Sequence, residues 1–317
     1  MQYDMQSRPG MTYPAAFFIL LGLLGVGLIV GSLAGAGVWF AMTGKGIFSM
    51  EKEMTNPANV QAVRMLQLVS TFFIFFLPAY FTSLLMNRRP FKFMGFNPYF
   101  GWRELAFVVG IMLASLPMVG ALAEINKAIP IPANWEKIFQ ELEDTFEQQV
   151  KVLSKITGFG DYLFSLVVMA LAPAIFEEAF FRGGMQNILH RWTRNPWIAI
   201  GITSVIFSLI HFSYYGFIPR IALGIVLGLI YYYSGNLWLA IAGHFFNNGL
   251  IVTQIYVMTR MGKSVDDLGD DTAPIWIGLL AMAVLAGLFY YFRIYSRQRR
   301  QAMMPAEDRA LEEKWLA

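Results

Sequence analysis

An all-α, polytopic membrane fold is what this sequence predicts: a bundle of about eight transmembrane helices, with one amphipathic surface helix between the third and the fourth. Three observations lead there. Of the 317 residues, 56% are hydrophobic and 14% are charged, against about 25% charged in a typical soluble protein. Eight apolar runs approach the roughly 20 residues that a helix needs to cross a ~30 Å hydrocarbon core. The ionisable residues that fall inside those runs are few and grouped, as expected where a charge in hydrocarbon costs several kcal/mol and must have partners.

The first run, about 14–42, follows a polar stretch from Met1 to Gly10 and is too long for the apolar part of a cleaved signal, so it is read as a retained helix. Its Gly27, Gly31 and Gly35 recur every four residues and line one helix face. Such a stripe lets helices approach closely, within the bundle by default and between copies in the alternative reading. The second run is 62–86 and the third 103–125. Pro130 and Pro132 then interrupt the chain, and Asn134 to Lys155 carries Trp135, Ile138, Phe139, Leu142, Phe146, Val150 and Leu153 at spacings of three and four with Glu, Gln and Lys between them. That segment is too charged to span and is read as an amphipathic helix on the membrane surface or capping the bundle. Packing is its default role, with a substrate gate as the alternative.

The fourth and fifth runs, 161–190 and 196–213, read as an antiparallel hairpin turning near Arg194. The sixth, 217–234, has a second small-residue pair in Gly224 and Gly228; the seventh is 237–258 and the eighth 274–295. The division that follows is 1–160 for the N-terminal helices and amphipathic segment, 161–260 for a core of polar-fragment helices, and 261–317 for the last helix and a basic tail.

With eight spans both termini share a side with Arg88, Arg89, Lys92, Arg103, Arg191 and Arg194, and with the cluster Arg293, Arg297, Arg299 and Arg300. On the opposite side the cations are diluted by acids, including those around Asp266 to Asp271. The excess of Lys and Arg predicts both termini to be cytoplasmic, in a multi-pass protein of the cell membrane. The net charge of +3 gives no sign of a nucleic-acid partner, and the absence of cysteine excludes disulfides, thiolate nucleophiles and Cys-ligated zinc. The partners expected are the lipid bilayer and a membrane protein or peptide; oligomeric state is not legible.

Three fragments interrupt the apolar core segments: Glu177-Glu178 with Arg182, Phe207 with His211, and His244 with Asn248. Residues four apart share a helix face, so Glu178 and Arg182 are placed to pair, Phe207 to buttress His211, and His244 and Asn248 to face one pocket. Glu177 points about 100° away from Glu178, so the two carboxylates have different neighbours. Glu177 precedes Arg194 by 17 residues and His211 follows it by 17, which predicts a common depth and a Glu177–His211 contact. His190, the third histidine, sits at a membrane edge and is assigned no role.

A buried carboxylate and imidazole suit general-base activation of water, and the side chains of His244 and Asn248 suit stabilisation of an oxyanion. The same carboxylate and two imidazoles, Glu177, His211 and His244, are also a zinc-type ligand set with room for water; zinc is the one cofactor these residue types suggest. An HExxH motif is absent. Residue types do not choose between the two chemistries. A proton-coupled transporter using Glu177, His211 and His244 as a relay is a third reading, weakened by the lack of visible repeats.

EExxxR, FxxxH and HxxxN, in that order on successive apolar segments and within 72 residues, resemble the CPBP family of intramembrane proteases, which comprises CAAX proteases and bacteriocin-processing enzymes and is also called the Abi family. The likeness covers about residues 160–260. It implies eight transmembrane helices around a polar cavity, with Glu177 and His211 activating water, His244 and Asn248 stabilising the oxyanion, and Glu178, Arg182 and Phe207 in support. Family members have been described both as metalloproteases and as glutamate-dependent enzymes. The expected activity is therefore an intramembrane endopeptidase acting on a membrane-associated protein or peptide. The alternative on the same scaffold is a non-proteolytic membrane scaffold or bacteriocin-immunity protein.

Overall fold

One long helix forms the axis of the bundle, and the fourth apolar run supplies it. The computed structural model describes residues 11–263 and 273–303. The polar stretch to Gly10, the acidic run Asp266 to Asp271 and the tail after Met303 lie outside them. Among the described residues every regular element of more than one residue is helical. In chain order these are α1 (Tyr13–Thr43), α2 (Ile47–Met54), α3 (Pro57–Met86), α4 (Pro90–Met94), α5 (Trp102–Ala128), α6 (Ala133–Leu153), α7 (Phe159–Thr193), α8 (Pro196–Leu209), α9 (Phe217–Ser234), α10 (Leu237–Arg260) and α11 (Ile275–Met303). The axis is α7, which packs against α1, α3, α8, α9 and α10, while α11 is held mainly by α5.

Six of these helices, α1, α3, α5, α7, α9 and α11, are long and apolar enough to cross a membrane. The count of eight is not reached on that criterion. Helix α8 is apolar but has only 14 residues, and α10 has 24 residues but carries His244, Asn247, Asn248 and Gln254 along its length. Both helices are motif bearers, and they depart from the criterion for different reasons: α8 by its length and α10 by the polar residues along it.

The amphipathic segment is a helix as expected, and its end is anchored. Arg64 of α3, fully buried, pairs with Asp161 of α7 and donates to the carbonyls of Leu153 and Lys155 at 2.8 and 3.0 Å. The glycine stripes are internal to the bundle. A Cβ at Gly31 would fall 2.9 Å from the Ser70 carbonyl oxygen and one at Gly224 2.9 Å from the Ser204 Cβ, so each glycine is a point of close helix approach.

The loops carrying most of the predicted one-sided positive charge do meet at one end. The Leu237 amide donates to Gly95 at 2.8 Å, the Asn236 side chain donates to Asn97 at 2.9 Å, and Arg299 lies 3.3 Å from Glu104. The basic cluster expected in a tail is helical instead, because α11 runs on from the apolar segment to Met303.

Candidate functional site

The site is assembled on α7, the end of α8, and α10. On α7, Pro173 precedes Glu177 and Glu178, and the helix widens to π geometry over Ala179–Gln186, immediately after the two carboxylates. Such widened turns redirect side chains and recur at functional positions.

Glu178 and Arg182 are both fully buried and form the ion pair that their spacing predicts, at 2.7 Å. The same carboxylate oxygen lies 2.8 Å from His244 Nδ1 on α10. Arg182 also donates to the Gly224 carbonyl at 3.1 Å, and its guanidinium lies 4.9 Å from the centre of the Phe207 ring. One turn further along, Gln186 donates to the Gly228 carbonyl at 3.0 Å. The glycines of α9 therefore do more than permit close packing: at these two residues the backbone of α9 accepts hydrogen bonds from α7.

Phe207 sits among the ionisable groups. Its ring centre is 5.0 Å from that of His211 and 6.1 Å from that of His244, and it excludes water from the buried side of the cluster.

His211 was expected on a membrane helix, and it lies just beyond one. Helix α8 ends at Leu209 and Phe212 takes a left-handed φ of 49°, with His211 between them. Its Nδ1 lies 2.7 Å from the Phe207 carbonyl, the acceptor that the His211 backbone amide would use in a continued helix, and that amide turns instead to Ser208 at 3.2 Å. Because a carbonyl can only accept, Nδ1 carries the proton and Nε2 is left as the basic nitrogen.

The loop holding His211 is pinned from α5 and α6. Asn126 donates to the Tyr214 carbonyl at 2.9 Å and accepts from the Ile218 amide at 3.0 Å. Ser213 donates to both carboxylate oxygens of Glu143, at 3.1 and 3.0 Å, and Tyr214 stacks on Phe139 with ring centres 4.9 Å apart. Glu143 and Asn126 were not singled out in the sequence, where each reads as an ordinary residue of its helix, and Phe139 was read only as part of the apolar face of α6.

Glu177 is half-buried, and among the described residues no side chain hydrogen-bonds to it. The charges that act on it are His244, Glu178 and Arg182. Among the described residues no hydrogen bond or ion pair joins Glu177 to His211, whose Nδ1 is on the Phe207 carbonyl. Asn248 lies one turn beyond His244 on α10, half-buried, with its side-chain oxygen accepting from Asn247 at 3.2 Å.

The expected zinc set of Glu177, His211 and His244 is not gathered into one group of three, although each imidazole keeps its Nε2 open. Among the described residues no three His, Asp or Glu side chains are grouped to hold a metal ion, and both histidines have Nδ1 engaged by protein oxygens.

Residues 159–250 match the family described as type II CAAX prenyl endopeptidase, Rce1-like, a stretch that contains all three sequence fragments. The chain is also similar to YpbD of Bacillus subtilis, an uncharacterised protein, with 32% identity over 94 residues; the match covers 28% of this chain and 45% of YpbD. The chain thus spans about half the length of that relative. No solved structure matches it.

Proposed function

We propose that this multi-pass membrane protein, whose residues 159–250 match the Rce1-like family, is an intramembrane endopeptidase in which Glu177 is the general base. The observation behind this assignment is the asymmetry of the two adjacent carboxylates. Glu178 is engaged by Arg182 and His244, whereas Glu177 is left half-buried for a water molecule.

In the proposed reaction Glu177 takes a proton from water while the oxygen attacks the scissile carbonyl carbon. His211 Nε2 accepts the second water hydrogen and aims the lone pair. His244 acts as an imidazolium toward the oxyanion. An imidazolium donates from both nitrogens, so with Nδ1 on Glu178 its Nε2–H is free for the oxyanion, and the Asn248 amide supplies a second donor. When the tetrahedral intermediate collapses, the C–N bond breaks and protonated Glu177 returns its proton to the leaving amine.

An apolar groove of about 650 Å³ between α7 and α10, lined by Tyr162, Leu166, Phe245 and Gly249, supports a lipid-soluble or membrane-embedded substrate segment, since Phe245 and Gly249 flank Asn248 along α10. We place both termini on the cytoplasmic side of the cell membrane, from the Lys and Arg excess at the shared end of the bundle.

The test is cleavage by purified protein of a pooled library of membrane-tethered and prenylated peptides, read by mass spectrometry. Products made by wild type, lost in Glu177→Gln and unchanged by a chelator support the reading. Products that persist in Glu177→Gln overturn the base assignment. Products lost with chelator and restored by zinc replace it with a metal mechanism, and failure to cleave any library member favours the scaffold or immunity role.

A further inference from the structure

A second cavity, of about 540 Å³, lies where α4, the α9–α10 turn and the end of α11 meet, and none of its walls comes from the Glu177–His211–His244 site. Among the described residues five cations line it, Arg89, Lys92, Arg191, Arg299 and Arg300, with the carboxylate of Glu104 paired to Arg299. The volume suits a small molecule or a headgroup.

The walls are held rigidly. Asn187 donates to the Phe93 carbonyl at 2.7 Å and Tyr231 to the Met94 carbonyl at 3.1 Å, which fixes the strap that carries Arg89 and Lys92. Arg191 is oriented by Asn187 Oδ1 at 2.9 Å and lies 5.0 Å from the Phe93 ring centre. In the same lining, Ser296 is 1% exposed and its hydroxyl has no hydrogen-bond partner among the described residues. A buried hydroxyl without a partner among the described residues, beside the exposed Arg89 and Lys92 and the guanidinium of Arg299, is the donor set of an anion site: planar guanidinium forks match phosphate oxygens in pairs, and the hydroxyl supplies a further O–H.

The level of the cavity narrows the ligand. Trp102, Trp192, Trp197 and Trp238 are all well exposed at this end of the bundle, as is Tyr99 in the cavity wall. Exposed Trp and Tyr concentrate at the depth of lipid headgroups, and basic pockets between transmembrane helices bind phosphorylated headgroups there.

We propose that this cavity binds a phosphate-bearing anion, with an anionic phospholipid headgroup or a soluble phosphate as the two sources. Wild-type protein in neutral detergent would be titrated with phosphatidylglycerol, phosphatidylcholine and inorganic phosphate while its thermal unfolding midpoint is followed. Saturable stabilisation by phosphatidylglycerol alone identifies the lipid; saturable stabilisation by inorganic phosphate as well identifies a soluble ligand. The double substitution Arg89→Gln/Lys92→Gln, at two exposed positions, should weaken that binding at least tenfold. Ser296→Ala should weaken it about threefold, and Arg88→Gln/Arg103→Gln, which removes two charges outside the lining, should change it less than twofold. The proposal fails if neither anion binds saturably, if phosphatidylcholine stabilises equally, or if the control pair weakens binding as much as the lining pair.

Discussion

Glu177 and Glu178 are adjacent in the chain and differ in almost everything that matters chemically. Glu178 is fully buried, shares one oxygen between Arg182 and His244, and has its neighbours in helices throughout. Glu177 is half-buried and is grouped in the proposed reaction with His211, which sits in a loop. The rotation of about 100° between consecutive helical residues sends one carboxylate into the dry interior and the other toward a region that solvent or substrate can reach. One half of the site is built as scaffold and the other is left open for chemistry.

That contrast can be broken from either side. The largest effects belong to the two carboxylates themselves. Glu177→Gln should lower the cleavage rate by about 10²–10⁴-fold, the range for loss of a general base, and leave the thermal midpoint within a degree or two. Arg182→Ala should do the reverse, removing about 3–5 kcal/mol of stability because it strands Glu178 in a dry site, measurable as a fall in the midpoint even for a protein with no activity assay. If both substitutions changed stability alike, the division of labour would be wrong.

Gly224→Ala is expected next in size, at about 1–3 kcal/mol, because the new methyl group would meet Ser204 at 2.9 Å and push α9 away from Arg182. Its midpoint should fall, with a smaller fall for Gly249→Ala, where the nearest atom would be 3.7 Å away. On the open side, Asn126→Ala should cost about 1–2 kcal/mol by freeing the Tyr214 carbonyl and Ile218 amide. It should also raise protease sensitivity of the 210–216 loop, whereas an unchanged digestion pattern would show that Asn126 does not hold it. The smallest effect is Glu143→Gln, which keeps a hydrogen bond to Ser213 but loses the charge. A stability change below about 1 kcal/mol is expected, with any change in cleavage showing in KM, and a pure fall in kcat would argue for a more direct part for α6.

Local relationships were legible in the sequence, and relationships between helices were mostly not. The Glu178–Arg182 pair, the amphipathic α6 and the turn at Arg194 are each set by neighbours within a few residues; at the turn Arg194 adopts a left-handed φ of 55° and Asn195 caps α8. The contact of His244 with Glu178 joins residues 66 positions apart and has no local signature. His211 misled because its segment is apolar enough to read as continuous helix, and the left-handed turn at Phe212 has no signature in that run. The eight expected spans correspond to six long apolar helices together with the short apolar α8 and the polar-studded α10, because length and composition alone do not say which helices cross lipid.

By itself the sequence determined that this is a helical membrane protein, that three ordered polar fragments lie in its apolar core, and that its positive charge is concentrated in particular loops, because hydrophobic length and i, i+4 spacing are properties of the chain alone. Only the tertiary structure decided which carboxylate is held and which is free, that the glycines of α9 offer their carbonyls to α7, and that five separated cations surround one cavity. Those outcomes depend on how helices far apart in sequence rotate and approach, and close packing of many side chains at once sets that rotation.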